Sequence, residues 1–303
     1  MMNALPYLAL LATLVMQQPT TSPTPEPTPF SARRLAAEKI IGEGMGEVSV
    51  AYRALDGSEE WMFDVDKTYH AASTMKIPVM VELFQQDAEK KLSLSDQIEV
   101  KNEFKSVVDG SPYSMDFGDD SDDTVYKNVG KTMTLEDLNF QMITVSSNFA
   151  TNLLIDRLGV NNVRKTVTSL GAYGVEVRRG VEDQKAFDQG IINETTARGL
   201  FIALNALANG KAVSKTASAR MVDVLAEQKF NNGIPKGLPP GTRVAHKTGT
   251  ITKIHHDAAI VYGDHPCVLV ILTRGIEKEA DSDALMARIT KALLPSTARS
   301  PSV

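Results

Sequence analysis

Two strand-patterned segments lie at opposite ends of the chain, with a long helical stretch between them. Near the N-terminus, EVSVAYRAL (47–55) alternates Val48, Val50 and Tyr52 with other residues, DGSEE supplies a turn, and EEWMFDVD (59–66) gives a second strand, so the pair reads as a hairpin. Near the C-terminus, TRVAHKTGT, HDAAIVYG and PCVLVILTRG read as three strands, the last two joined by a short GDHP turn. Between Thr74 and about Lys211 the pattern is mostly helical. An order of strands, helices, strands and a last helix, with no internal repeat, predicts one antiparallel sheet made from both ends of the chain. Helices cover that sheet, and an all-helical insertion sits between its halves. The expected division is an α/β domain from 31–70 and 212–297, and an all-helical domain from 71–211.

The helices carry readable boundaries. SARRLAAEKIIGEGM (31–45) has helical spacing, and TMKIPVMVELFQQDAEKKL begins with Pro78 in its first turn, where a proline is tolerated. Thr134 is placed to cap TLEDLNFQMITVS, and glycines stop SNFATNLLIDRLG and NETTARGLFIALNALANG, the latter at Gly210. KTASARMVDVLAEQ and EADSDALMARITKALL complete the set.

Composition narrows the classes of function. With 303 residues, 43% of them hydrophobic, the chain can bury a large core, and a net charge of −5 implies no basic face for nucleic acid. Cys267 is the only cysteine, which excludes an intrachain disulfide framework and a thiolate metal cluster; within CVLVILT it reads as a small hydrophobe on a buried strand. Residues 4–16, ALPYLALLATLVM, have the length of a signal-peptide core rather than of a membrane span, although no Lys or Arg precedes them and no A-x-A site follows. Residues 1–18 are therefore expected to be a signal peptide and 19–30 an extended Pro/Thr-rich linker, with a periplasmic or secreted product and no membrane insertion after signal removal.

Three patterns are decoys. IGEGMGEV (41–48) and DFG (116–118) suggest a kinase, but the glycine loop is one residue short and no H-R-D occurs. The acidic run Asp116, Asp119, Asp120, Asp122 and Asp123 lacks the spacing and closing glutamate of an EF-hand, so it reads as a solvated loop. His255 and His256 are neighbours on a strand and point to opposite faces, which argues against a shared metal, and no metal site is expected.

The pattern that carries chemistry is a set of three motifs in order. S-x-x-K occurs once, at Ser73–Lys76, opening a helix; S-x-N occurs once, at Ser146–Asn148, joining two helices; K-T-G occurs once, at Lys247–Gly249, on a strand. Residues i and i+3 share a helix face, so the Ser73 hydroxyl and the Lys76 amine are expected to meet. The positive end of the helix and burial both favour a neutral Lys76, able to take the serine proton, while the Ser73 amide can stabilise an oxyanion.

With these motifs the chain resembles the penicillin-recognising serine hydrolases, and among them the class A β-lactamase family, from about Leu35 to Leu294. The resemblance implies the fold just described and an acyl-Ser73 intermediate. It implies that Ser146 relays a proton to the leaving nitrogen and that Asn148 bonds the substrate's side-chain amide. Lys247 and Thr248 would bind the substrate carboxylate, and the Thr250 amide would be a second oxyanion donor. Glu182 falls where that family's water-activating glutamate should be, but the text reads EDQKA, with Lys185 and Ala186 in place of a leucine and an asparagine. The middle motif reads S-S-N rather than S-D-N. Acylation machinery thus reads as complete, whereas deacylation lacks a residue that helps hold the water. The expected function is hydrolysis of β-lactam amides. The alternatives are a D-alanyl-D-alanine peptidase or esterase on the same scaffold, and a penicillin-binding sensor without turnover. No cofactor is implied, the partner is a small β-lactam or cell-wall peptide, and a monomer is the expected state.

Overall fold

The computed structural model describes residues 29–294; the proposed signal peptide, nearly all of the linker, and the chain after 294 lie outside the described residues. The sheet has five strands, β1 (Glu47–Ala54), β2 (Glu60–Phe63), β3 (Arg243–Ile251), β4 (Ile254–Tyr262) and β5 (Cys267–Arg274), in the order β2-β1-β5-β4-β3. Every neighbouring pair is antiparallel, so the two ends of the chain do build one sheet: Val50 on β1 faces Ile271 on β5 and Phe63 on β2. β3, which carries K-T-G, is an edge strand.

Both faces of the sheet are covered, which explains why β5 is an unbroken apolar run. Its Cys267, Leu269 and Ile271 join one core with Val48, Val50, Tyr52 and the terminal helices α1 (Phe30–Ile41) and α9 (Glu279–Leu293). Its Val268, Val270 and Leu272 join the other core, against the helical body. The period of two along the strand assigns alternate residues to the two cores. Cys267 is fully buried, and burial pushes its thiol well above the ordinary range, so it is the inert core residue the sequence suggests. The first helix is shorter than its pattern: it ends at Ile41, and Gly44 turns the chain at a φ of 76° toward β1.

The helical body contains α2 (Lys76–Ala88), α3 (Leu135–Thr144), α4 (Asn148–Leu158), α5 (Val160–Ser169), the short α6 (Gln184–Asp188), α7 (Ala197–Ala208) and α8 (Lys215–Ala226). It is not all-helical as expected: short strands pair Tyr69–His70 with Glu194–Thr195, Gln97–Glu99 with Thr132–Thr134, and Phe104–Lys105 with Pro112–Tyr113, runs too brief to show a period of two in the sequence. α2 is buried from Lys76 through Phe84 without a break, because α3, α4, α5 and α8 all pack on it. A helix apolar on every side must be wrapped in this way, at about 1.5–3 kcal/mol for each large side chain removed from water. Thr134 caps α3 by accepting from the Asp137 amide, and Gly159, at a φ of 83°, ends α4.

Candidate active site

The start of α2, the α3–α4 connection, β3 and the loop before α6 meet at one place. Ser73 lies on a short 3₁₀ turn (Ala72–Met75) that runs straight into α2, so Lys76 is the first residue of the α-helix proper. The residue before the nucleophile candidate, Ala72, has a φ of 45°. A non-glycine residue there costs roughly 1–2 kcal/mol, so surrounding contacts must hold it. Ser73 sits at the junction of two cavities. One, of about 270 Å³, is bordered by Ser146, Asn148, Thr248 and Thr250. The other, of about 430 Å³, is bordered by Asn148, Glu182, Thr250 and Phe187.

β3 lies hard against the nucleophile turn. A Cβ added to Gly249 would come within 3.0 Å of the Ser73 amide nitrogen and 3.1 Å of the Thr74 amide nitrogen, tighter than most Cβ contacts, so strand or turn would have to give by a few tenths of an ångström. The glycine of K-T-G thus lets the strand approach the Ser73 turn this closely. As an edge strand, β3 also leaves one row of its backbone groups unused by the sheet on the side away from β4, a row available to substrate.

Lys76 is fully buried, and its amine donates to the Ser146 carbonyl (2.6 Å), the Ser146 hydroxyl (3.1 Å) and the Asn148 side-chain oxygen (2.8 Å). None of these bonds goes to Ser73, which differs from the direct Ser73–Lys76 contact expected from helical spacing. The cause is the 3₁₀ turn, together with three better acceptors supplied by the α3–α4 connection. Burial pushes the Lys76 amine down to about 7, against the opposing pull of Asp120 and Glu182. Lys247 is also fully buried; its amine donates to the Ser146 hydroxyl (3.1 Å) and the Thr248 carbonyl (3.0 Å). Burial, then the neighbouring Lys76 charge, hold the Lys247 amine well below the usual lysine range. Ser146 is presented to both lysines from a left-handed backbone, φ 61°.

Asn148 ties the site together. Its oxygen accepts from Lys76, and its amide donates to Glu182 Oε1 at 2.8 Å. Glu182 itself has a φ of 59°, on a loop held by the buried Asp183, whose carboxylate accepts from the Ser106 hydroxyl and from the Val107 and Ala186 amides. The two arginines nearest in sequence are engaged elsewhere: Arg178 pairs with Glu194 at 2.6 Å, and Arg179 bonds the carbonyls of Ile191 and Gly180. The structure thus brings together Ser73, Lys76, Ser146, Asn148, Glu182, Lys247, Thr248, Gly249 and Thr250. Ala186 is fully buried, and Gln184 and Asn193 line the cavity that Ser73 and Glu182 share.

Two contributors were not visible in the motif pattern. Asp120, read from sequence as part of a solvated acidic loop, lies over the N-terminus of α4. Its carboxylate accepts from the Asn148 amide (3.0 Å), the Phe149 amide (2.9 Å) and the Ser147 hydroxyl (3.2 Å). An aspartate on the amides of a helix N-terminus is a cap, here supplied from a distant loop. His246 is fully buried, with Nδ1 2.8 Å from Asp257 Oδ1 and Nε2 3.1 Å from Asn231 Oδ1. The other Asp257 oxygen accepts from the Ile234 amide, so the pair fastens the 228–234 loop whose Phe230, Asn232 and Gly233 wall the cleft. His255 bonds Ser282 of α9 and His256 bonds the His70 carbonyl, on opposite faces of β4 as their strand positions require. Glu279 and Asp283 also line the smaller cavity, and Glu279 Oε1 accepts from the Thr250 hydroxyl at 3.0 Å.

The model of the β-lactamase enzyme family matches residues 32–296, and the chain belongs to that family. A β-lactamase of Citrobacter koseri is 24% identical over 279 residues, covering 90% of this chain and 90% of that protein. The β-lactamase CARB-3 of Pseudomonas aeruginosa is 21% identical over 234 residues, covering 74% and 75%. Among solved structures, a β-lactamase from Sphaerobacter thermophilus superposes with a TM-score of 0.76 at 26% identity, covering 89% of this chain and 98% of that one. PBP-A superposes at 0.73 with 21% identity, covering 87% and 94%, a likeness of fold alone.

Proposed function

We propose that this protein is a serine hydrolase that opens β-lactam amides through an acyl-Ser73 intermediate. The observation that carries the reading is the fully buried Lys76, whose amine is pushed to about 7, one turn after a serine at the junction of two cavities. Neutral Lys76 takes the Ser73 proton, directly or through the Ser146 hydroxyl that it already bonds, as Ser73 Oγ attacks the lactam carbonyl. The Ser73 and Thr250 amides receive the oxyanion. Ser146, bonded by both lysines, gives its proton to the leaving nitrogen and is reprotonated from the lysine side. Lys247 and Thr248 bind the substrate carboxylate, whose arrival restores a full charge on Lys247. Asn148 bonds the acylamino side chain. Glu182 draws a proton from the water that cleaves the ester.

Apolar Ala186, at the position where the resemblance expects an asparagine, favours a second reading on the same residues: a D-alanyl-D-alanine peptidase or esterase whose β-lactam adduct persists, because that position offers no side-chain amide to the deacylating water. The apolar segment 4–16 supports a periplasmic or secreted location, where β-lactams and cell-wall peptides are met, and the reading needs only a monomer and a small-molecule substrate.

Intact-protein mass spectrometry after brief exposure to a penicillin, with Ser73→Ala as control, is the test. A transient adduct with consumption of the drug supports the first reading, and a lasting adduct the second. No adduct on folded wild type would sink both β-lactam readings.

A further inference from the structure

The nucleophile turn is held by a histidine to which the mechanism above gives no part. His70 Nδ1 accepts a hydrogen bond from the Ala72 amide at 3.0 Å, two residues on. That amide belongs to the residue at φ 45°, immediately before Ser73. The rest of His70 is anchored independently. Its strand pairs with Glu194, its carbonyl accepts from His256 Nε2 at 3.0 Å, and the next amide, Ala71, donates to Asn193 at 2.8 Å. The imidazole lines the larger cavity together with Ser73, Glu182 and Arg179.

We propose that His70 is a positioning residue for catalysis: its unprotonated Nδ1 holds the Ala72 amide, fixes the left-handed turn, and thereby aims both the Ser73 hydroxyl and the Ser73 amide. The inference rests on Ser73 being the nucleophile. An acceptor at Nδ1 requires the tautomer with hydrogen on Nε2. Protonation at Nδ1 would turn acceptor into donor, facing another donor, and the turn would lose its clamp. The groups around the ring are Arg179 and His256, which oppose a positive charge there, Glu194, which favours one, and Glu182 across the cavity. Burial and Arg179 hold the imidazole below its ordinary range, so the clamp stays closed at neutral pH and opens only in acid.

The experiment compares wild type, His70→Asn and His70→Leu. Asparagine keeps an acceptor oxygen at the place of Nδ1; leucine does not. Ser73 labelling is followed with a penicillin and, separately, with a fluorophosphonate, which reads nucleophile geometry without any β-lactam. The expected result is a loss of labelling rate of about 10–100-fold in His70→Leu with both reagents, on the scale of a misplaced reacting group. His70→Asn should recover most of the rate and also lose the acid limb that wild type shows below the ordinary imidazole range. Long-range ¹⁵N–¹H correlation of His70 in wild type should show hydrogen on Nε2. A folded His70→Leu that labels like wild type, or a His70 protonated on Nδ1 at neutral pH, would overturn the proposal. If His70→Leu fails to fold, an Asn variant with wild-type rate but an unchanged acid limb overturns the pH part, and the tautomer decides the rest. Penicillin failing on wild type while the fluorophosphonate still shows the His70 dependence would reject the β-lactam reading and leave the clamp standing. Wild type inert to both reagents would reject both.

Discussion

Lys76 and Lys247 place their amines at the same distance, 3.1 Å, from one oxygen, the hydroxyl of Ser146. Two fully buried ammonium groups around one hydroxyl repel each other and have lost their water, so the resting site favours releasing a proton from this trio. In the proposed mechanism this arrangement lets Ser146 exchange protons between the side of Ser73 and the side of the leaving nitrogen.

The rate of acylation should rise with pH through about 7, because Lys76 is a base only when neutral and its amine titrates there. Lys76→Ala should lower that rate by roughly 10²–10⁴-fold, the usual share of a general base, and flatten the profile. Stopped-flow acylation with a chromogenic cephalosporin from pH 5 to 9 checks both; a Lys76→Ala variant that keeps the same limb would reassign it.

Removing the Asp120 charge should move that limb to lower pH. Asp120 pulls the Lys76 amine up, so Asp120→Asn leaves burial less opposed and the amine deprotonates earlier. The same change weakens the bonds to the Asn148 and Phe149 amides, and Asp120→Ala should cost about 1–2 kcal/mol as a lost helix cap. Acylation pH profiles and urea melts of the two variants separate the electrostatic effect from the structural one.

Gly249→Ala should fold yet acylate poorly. Its methyl group would press on the Ser73 and Thr74 amides at 3.0–3.1 Å, so β3 or the Ser73 turn must give by a few tenths of an ångström, with an overpacking cost of about 1–3 kcal/mol. Thermal melting should show that cost, and mass spectrometry a slower adduct. Wild-type acylation in this variant would mean that the strand is not held where its neighbours place it.

Glu182→Gln should lengthen the life of the acyl-enzyme without slowing its formation. Glu182 shares the larger cavity with Ser73 and is bonded to Asn148, whereas Ser146, to which the proposal gives the leaving nitrogen, borders the other cavity. Adduct decay followed by mass spectrometry is the measurement, and decay at the wild-type rate would remove Glu182 from the mechanism.

Anionic β-lactams should bind more weakly as pH rises through about 6. Burial and Glu279 push the Asp283 carboxyl up to about 6, so it is neutral below that pH and negative above it, on the wall of the cavity that Thr248 also lines. Asp283→Asn should lower KM for a carboxylate substrate at pH 7 and have little effect at pH 5. Equal effects at both values would show that charge at this end does not reach the substrate.

The sheet and the three motifs were legible because each is a local pattern with one physical meaning. The alternating β1 and the unbroken apolar β5 read as strands, Thr134 is placed to cap a helix, Ser73 and Ser146 stand at element boundaries, and Lys247 lies within a strand. Asp120 was not legible: it stands in a run of aspartates that looks solvated, and only the folded loop carries one of them to the α4 amides. The bonding of Lys76 was misread for a related reason. Helical spacing speaks of Ser73, whereas the acceptors that win are on another element. His70 and His246 are single residues in no periodic pattern, and their partners, a strained amide in one case and a buried carboxylate in the other, appear only with tertiary structure.

The pairing of Glu47 with Arg274 across the middle of the sheet has a consequence for the order in which the protein comes to life. Ser73 is translated early and Lys247 late, and β3 joins the sheet through β4 and β5, which dock on β1 at the other end of the chain. Contacts so distant along the chain form slowly and late in folding. A ribosome must therefore deliver nearly the whole polypeptide before a reactive serine exists, and a chain truncated ahead of β5 has every part of the S-x-x-K motif and no completed sheet to work against.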